Sequence, residues 1–309
     1  MHLNGIHHIT AITANAQRQV DFYCGVLGLR LVKKTVNFDA PNSYHLYFGS
    51  ELGEPGSLLT FFELPDAPPG RAGAGMIHRI IWRVAGEDAL EFWTDRLSGA
   101  GIGVENQPSA IVFSDSEELG LEIVVNETHD APLTAAHPEI PSPHALIGLE
   151  GVRAYATNLQ TSHYLLTGGL RFTPLADLVG YQLRGGSREA LYHYDEAPSE
   201  EGLQGAGTVH HVAWASSDTD HATWRERVIE EGATPTEIID RLYFRSIYFR
   251  EPSGVLFEIA TVGPGFTIDE PADRLGESLM LPEWHEHLRP RLEQTLAPIS
   301  NPRAAAVDR

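Results

Sequence analysis

One order of elements recurs four times along the chain: a short apolar strand, an amphipathic helix, then two or three further strands. The opening strands begin near Ile6, Met76, Gly151 and Thr208, so the spacing is uneven while the order is kept. A unit of this size cannot bury its apolar face alone and must pair with another. In the first unit Ile6–Ile12 precedes a helix over Asn15–Leu27, with Asn15 as N-cap and Gly28 as the stop. The strands Leu29–Phe38, Ser43–Gly49 and Ser57–Leu64 follow. The second unit has Met76–Val84, a helix at Glu87–Ser98 and a closing strand at Leu121–Val125. The third has Gly151–Ala156, a helix at Leu159–Leu166 and a strand near Ala190–Tyr194. The fourth has Thr208–Ala215, a helix at Thr219–Glu231 and Val255–Thr261. The expected fold is α+β: four βαβββ modules paired into two half-barrel, cup-shaped domains. Residues 1–126 hold the N-terminal pair and 144–262 the C-terminal pair. The segment 127–143, with four prolines, is the expected linker. Residues 263–309 form an extension with a helix at Glu283–Leu296, and Asn301–Arg309 is expected to fray.

The charge balance, 22 Lys and Arg against 42 Asp and Glu, repels nucleic acid and anionic lipid. Cys24 is the only cysteine, which excludes intramolecular disulfides and thiolate-rich metal sites. It reads as a small buried hydrophobe on the first helix. No apolar run approaches the ~18 residues of a membrane span, and a cytoplasmic setting is expected. The acidic run Asp115–Glu118 reads as a solvated turn, and His285 and His287 as exposed helix positions.

The 15 histidines are the compositional oddity, and two doublets stand out: His7-His8 and His210-His211, each in an opening strand. Strand side chains alternate, so one histidine of each doublet faces a given cavity while its neighbour faces away. Glu258, in the closing strand of the fourth module, can meet His211 in one cup, completed by a histidine of the first module. Two imidazoles and one carboxylate with positions left open suit non-haem Fe(II), and also Mn, Zn or Ni. Aligned on their glycines, the closing strands place Thr60 in the slot of Glu258, leaving three protein ligands and an open site. His78 and Glu122 take similar slots in the second module, but Arg153 in the third opposes a metal there.

These motifs resemble the vicinal-oxygen-chelate (glyoxalase/bleomycin-resistance/extradiol dioxygenase) superfamily, and more narrowly ring-cleaving dioxygenases of the hydroquinone 1,2-dioxygenase type. The stretches that carry the likeness are HHIT at 7–10, Asp21-Phe22-Tyr23 with Gly28, Tyr44–Phe48 and Leu52–Gly56. Later come the 210–211 doublet, Tyr248 with Arg250, Pro252–Glu258, and Gly265-Phe266-Thr267 with Asp269-Glu270. The resemblance implies Fe(II) held by His8, His211 and Glu258, with Tyr248 as acid/base and His7, Thr10, His210 and Arg241 flanking the pocket. It implies a small dihydroxyaromatic substrate and O2 as co-substrate; a homo-oligomer is compatible with the sequence. The middle of the chain matches loosely, and the loop before Tyr248 is shorter than the family's, which bears on substrate identity. Two rival classes share the scaffold: a glyoxalase-like isomerase, lyase or thiol transferase, and a non-catalytic binder of aromatic ligands.

Overall fold

The computed structural model describes residues 1–177, 179–184 and 186–302; the expected frayed end at 303–309 lies outside them. The first module contributes β1 (Ile6–Thr13), β2 (Arg30–Asn37), β3 (Ala40–Gly49) and β4 (Leu58–Glu63). The second contributes β5 (Met76–Val84), β6 (Glu105–Gln107), β7 (Ala110–Ser114) and β8 (Gly120–Val125). The third has β9 (Leu149–Ala156), β10 (Thr173–Pro174), β11 (Gly180–Leu183) and β12 (Ala190–Glu196). The fourth has β13 (Val209–Ser216), β14 (Ile239–Asp240), β15 (Arg245–Arg250) and β16 (Leu256–Thr261).

These strands form two eight-stranded sheets, β14-β15-β16-β13-β1-β4-β3-β2 and β10-β11-β12-β9-β5-β8-β7-β6. Each module lays its closing strand parallel to its opening strand, the pairing that requires a long crossover through a helix. Two opening strands then pair antiparallel at the centre of each sheet, β1 with β13 and β5 with β9. The first module therefore shares its sheet with the fourth, and the second with the third. Both sheets cross the 127–143 segment, so that stretch divides the sequence without dividing the sheets.

All eight residues of β1 are buried, as its apolar composition and central place demand. Trp82, Trp93, Trp214 and Trp224 are fully buried. Tyr192 of one sheet packs edge-on against Phe257 of the other, ring centres 5.2 Å apart. The extension after residue 263 covers the edge strand β2, where Lys34 bridges to Leu279. Lys33 of β2, with no exposed surface, lies 2.6 Å from Asp269 and 2.5 Å from Glu270, pinning that extension in place.

Helices differ from the sequence reading in three places. The first runs as α1 (Ala16–Val20), capped by Asn15, and continues as a π-turn over Asp21–Val26. The expected helix at Leu159–Leu166 starts late: 159–162 form turns, 163–164 are helical and a π-turn follows over Leu165–Gly169. Asn158 closes a local turn onto Gln160, and Gly168-Gly169 ends the run. In the tail, a 3-10 segment at Glu283–Leu288 precedes a short α-helix at Arg289–Thr295. There His285 is half-buried and hydrogen-bonds the Phe38 carbonyl instead of standing free. The helices at Glu87–Gly99 and His221–Glu230 match their expected places.

The Asp115–Glu118 turn is not solvated throughout. Asp115 is buried, receives the Tyr23 hydroxyl at 3.0 Å and accepts from the Glu117 and Leu119 amides. Burial pushes its carboxyl up to about 6. The turn ties the first module to the second, since Glu117 also accepts from Ala14 and Gln19.

Candidate active site

Strand alternation alone would turn one ring of each histidine doublet away from its neighbour. Two bulges prevent this. Between the pairs Ile6–Trp214 and His8–Ala213, β1 carries one extra residue, His7. Between Thr10–His211 and Ala11–Val209, β13 carries one extra residue, His210. A bulge re-aims its side chain, and here the rings of each doublet meet: Nδ1 of His7 lies 2.9 Å from Nδ1 of His8, and Nδ1 of His210 lies 2.8 Å from Nδ1 of His211. A metal at His8 Nε2 requires the tautomer in which His7 Nδ1 accepts from His8. The His8 Nδ1 then carries the hydrogen, and His8 Nε2 presents a bare lone pair. Burial, and next its neighbour His8, keep His7 neutral, down to about 3.

The freed nitrogens converge. His8 Nε2 and His211 Nε2 lie 3.2 Å apart, and Glu258 Oε2 lies 3.3 Å from the first and 2.9 Å from the second. All three residues are buried. Glu258 Oε1 takes a hydrogen bond from Ser246, whereas Oε2 is buried without one, close to both imidazoles but out of line with them. Burial opposes the charge on Glu258, and the imidazoles, His8 foremost, hold its carboxyl well below the usual range when they carry a proton toward it, the place a cation takes when bound. Burial likewise lowers His211. Two ligands about 2.1 Å from one ion and at right angles stand about 3 Å apart, so these spacings fit one face of a coordination sphere. The orphaned carboxylate oxygen and the bare nitrogen are what a cation would satisfy. Among the described residues this is the one cluster of three such groups.

The cluster lies at the floor of a cavity of about 400 Å³ walled by Phe62, Phe244, Tyr47 and Leu256. Thr10, His210, Arg241 and Tyr248 also line it, while His7 stands behind His8 and packs on Phe244. Tyr248 is directly opposite Glu258 across the β15–β16 pair. Arg241 Nε donates to the Tyr248 hydroxyl at 3.2 Å, and another guanidinium nitrogen contacts Asp39 at 2.9 Å. Burial raises the Tyr248 hydroxyl well above its ordinary value, so it keeps its proton.

Sequence reasoning passed over Ser246 and Asp39, and it noted His45 and Tyr47 only within a matching stretch, without a role. Ser246 and Asp39 carry no motif of their own. His45 and Tyr47 fall two apart on β3, a period-2 spacing that puts both on one face. That was a usable signal.

The other sheet repeats both bulges, at His78 of β5 and Glu150 of β9. His78 therefore matches His7 and not a ligand position, which corrects the expectation. By the same register Arg79 stands at the place of His8 and Gly151 at that of His211. Glu122 stands at that of Thr60 and His193 at that of Glu258. Glu122 receives Arg79 at 3.2 Å and Arg153 at 3.1 Å, and His78 is spent on Asp195 at 2.8 Å.

The glyoxalase/bleomycin resistance protein/dioxygenase superfamily model matches residues 5–119. The chlorohydroquinone/hydroquinone 1,2-dioxygenase of Sphingobium indicum is 34% identical over 95% of this chain and 96% of its own. A Bacillus subtilis protein named "Putative ring-cleaving dioxygenase MhqE" is 38% identical over 96% of this chain and 99% of its own. A crystal structure from the same species, named "putative dioxygenase", superposes with a TM-score of 0.91 at 37% identity, covering 97% of this chain and 98% of that one. Glyoxalase I from Zea mays shares the fold, with a TM-score of 0.59 at 12% identity over 83% of this chain and 92% of its own. The chain thus belongs to the glyoxalase/bleomycin resistance protein/dioxygenase superfamily and, with these full-length relatives, to its ring-cleaving dioxygenases.

Proposed function

We propose that the chain is an Fe(II)-dependent, extradiol-type dioxygenase that opens the ring of a hydroquinone-like or other dihydroxyaromatic substrate with O2, acting in the cytoplasm. The observation that carries the reading is the His8–His211–Glu258 triangle at the floor of an aromatic-walled cavity. In this reading those three residues hold the ion. Bound there, ferrous iron supplies open positions and a redox partner for oxygen, which no side chain offers. Thr60, at the place in the first module that matches Glu258 in the fourth, adds no fourth ligand of the carboxylate kind, which weighs against a closed glyoxalase-like set.

The chain's own groups do the rest. His7 and His210 fix which nitrogen of His8 and His211 is bare. Phe62, Phe244 and Tyr47 exclude water and hold an aromatic ring flat. Because Arg241 donates to the Tyr248 oxygen, the Tyr248 hydrogen is left to point at a substrate oxygen, and Tyr248 gives and retrieves that proton. Thr10 offers a second hydroxyl on the same wall.

The test pairs elemental analysis of the purified protein with oxygen uptake on substituted hydroquinones after anaerobic ferrous loading. One O2 consumed per ring opened is expected. Turnover that persists without oxygen, or no uptake across the panel, overturns the reading. Tyr248→Phe should keep the bound metal while kcat falls by roughly 10²–10⁴-fold.

A further inference from the structure

A column of hydrogen bonds crosses three strands beside the triangle. The Tyr47 hydroxyl lies 3.0 Å from His45 Nδ1, His45 Nε2 lies 2.9 Å from the Thr60 hydroxyl, and Thr60 lies 2.8 Å from the Thr10 hydroxyl. Register makes it continuous, since Tyr47 is opposite Thr60 on the β3–β4 pair and Thr60 opposite Thr10 on the β4–β1 pair. Tyr47, His45 and Thr10 line the cavity, so both ends of the column open on it. Thr10 is also opposite His211, next to the triangle. Thr60 stands where the pseudo-symmetric partner of Glu258 belongs; the slot without a carboxylate holds a hydroxyl backed by an imidazole.

Resting on the reading above, we propose that Tyr47, His45, Thr60 and Thr10 form a proton relay. It accepts a proton from the substrate hydroxyl that the ion does not bind and delivers one, at Thr10, to a substrate oxygen beside the triangle. Tyr47 and Thr10 touch substrate, while His45 and Thr60 act through them.

The direction of transfer sets the resting orientation. If Tyr47 donates to His45 Nδ1, then His45 Nε2 donates to Thr60, Thr60 to Thr10, and the Thr10 hydrogen is left for the cavity. The opposite direction would leave a Tyr47 hydrogen for the cavity, whereas the forward one places the free donor at Thr10, beside the triangle. His45 is clamped for this by Tyr47 and Phe62, ring centres 4.1 and 4.3 Å away. In operation the Tyr47 oxygen takes the substrate proton as its own passes to His45 Nδ1. The Nε2 proton goes to Thr60, that of Thr60 to Thr10, and that of Thr10 to the acceptor. One proton leaves the substrate hydroxyl and one arrives at the acceptor; no bond to carbon changes, and no charge remains on the column. Burial holds both His45 and Tyr47 in their neutral forms, as such a relay requires. The column ends with His45 protonated on Nδ1, and water entering after product release resets it.

Tyr47→Phe and Thr60→Val each cut the column at one hydroxyl with little change of shape. Each should lower kcat at least tenfold with KM within about twofold, and the double variant should be no worse than the poorer single. The solvent deuterium effect on kcat should shrink in both. Independently of turnover, 15N NMR of the metal-loaded protein should find resting His45 protonated on Nε2, its signal assigned with His45→Gln. An Nδ1-protonated resting state, additive losses, or an effect on KM alone overturns the relay. Wild-type protein that consumes oxygen while both variants match it defeats the relay only; wild-type protein that consumes none defeats the enzymatic reading and the relay with it.

Discussion

The two sheets share strand order, register and both bulges, yet among the described residues only one gathers metal-binding groups. In the first, the pair of bulges aims His7 onto His8 and His210 onto His211, and two Nε2 atoms face a carboxylate. In the second, the equivalent bulges aim His78 at Asp195 and place Glu150 on Arg83. Where the first sheet has His8, the second has Arg79, and Arg153 joins it on Glu122. The same backbone therefore concentrates lone pairs in one sheet and guanidinium hydrogens in the other. A guanidinium supplies internally the positive charge that the first sheet must obtain from an ion. Backbone geometry makes a ligand site possible; side-chain type determines whether it binds.

The sharpest break in this comparison is Glu258→Gln, which keeps shape and removes charge. Metal affinity should drop by more than about 100-fold, since losing even a group behind a ligand costs 10–100-fold. Titration with a competing chelator measures it. His193→Gln, at the matching place in the second sheet, should leave affinity unchanged.

A smaller effect is expected at Gly151, which occupies the place of His211. A Cβ there would sit 2.3 Å from the Leu191 carbonyl oxygen. Gly151→Ala should cost about 1–3 kcal/mol in a urea melt. Arg79→His with Gly151→His should not add a second equivalent of bound metal; a second equivalent would show that side-chain identity alone separates the sheets.

Glu122→Gln removes the charge that Arg79 and Arg153 share. With both guanidiniums partly exposed, about 2 kcal/mol of stability should be lost, read from the shift in denaturation midpoint. The first sheet offers its own minor case in the Asp39–Arg241 pair, whose Asp39 side chain is 74% exposed. Asp39→Asn should alter stability by less than about 0.5 kcal/mol. A larger loss would show that the pair holds the cavity mouth together.

Much of the site was legible before any coordinates. The doublets, the glycine-aligned closing strands and Thr60 at the place matching Glu258 follow from the order of residues, because strand periodicity and repeat alignment are local. His45 and Tyr47 were legible as a same-face pair, but their partnership with Thr60 and Thr10 spans three strands and needed the register. His78 was misplaced by one position because a bulge breaks the alternation on which the reading relied. The Leu159–Leu166 helix begins four residues late because Asn158 and Gln160 close local turns first.

By itself the sequence determined the module count, the α+β class and the chemical type of the donors, since these depend on apolar periodicity and on which side chains carry lone pairs. Which modules share a sheet was decided only in three dimensions, because strand pairing joins residues 203 positions apart. The aim of the imidazoles was also decided there, since a bulge is a property of two strands in register and neither strand encodes it alone.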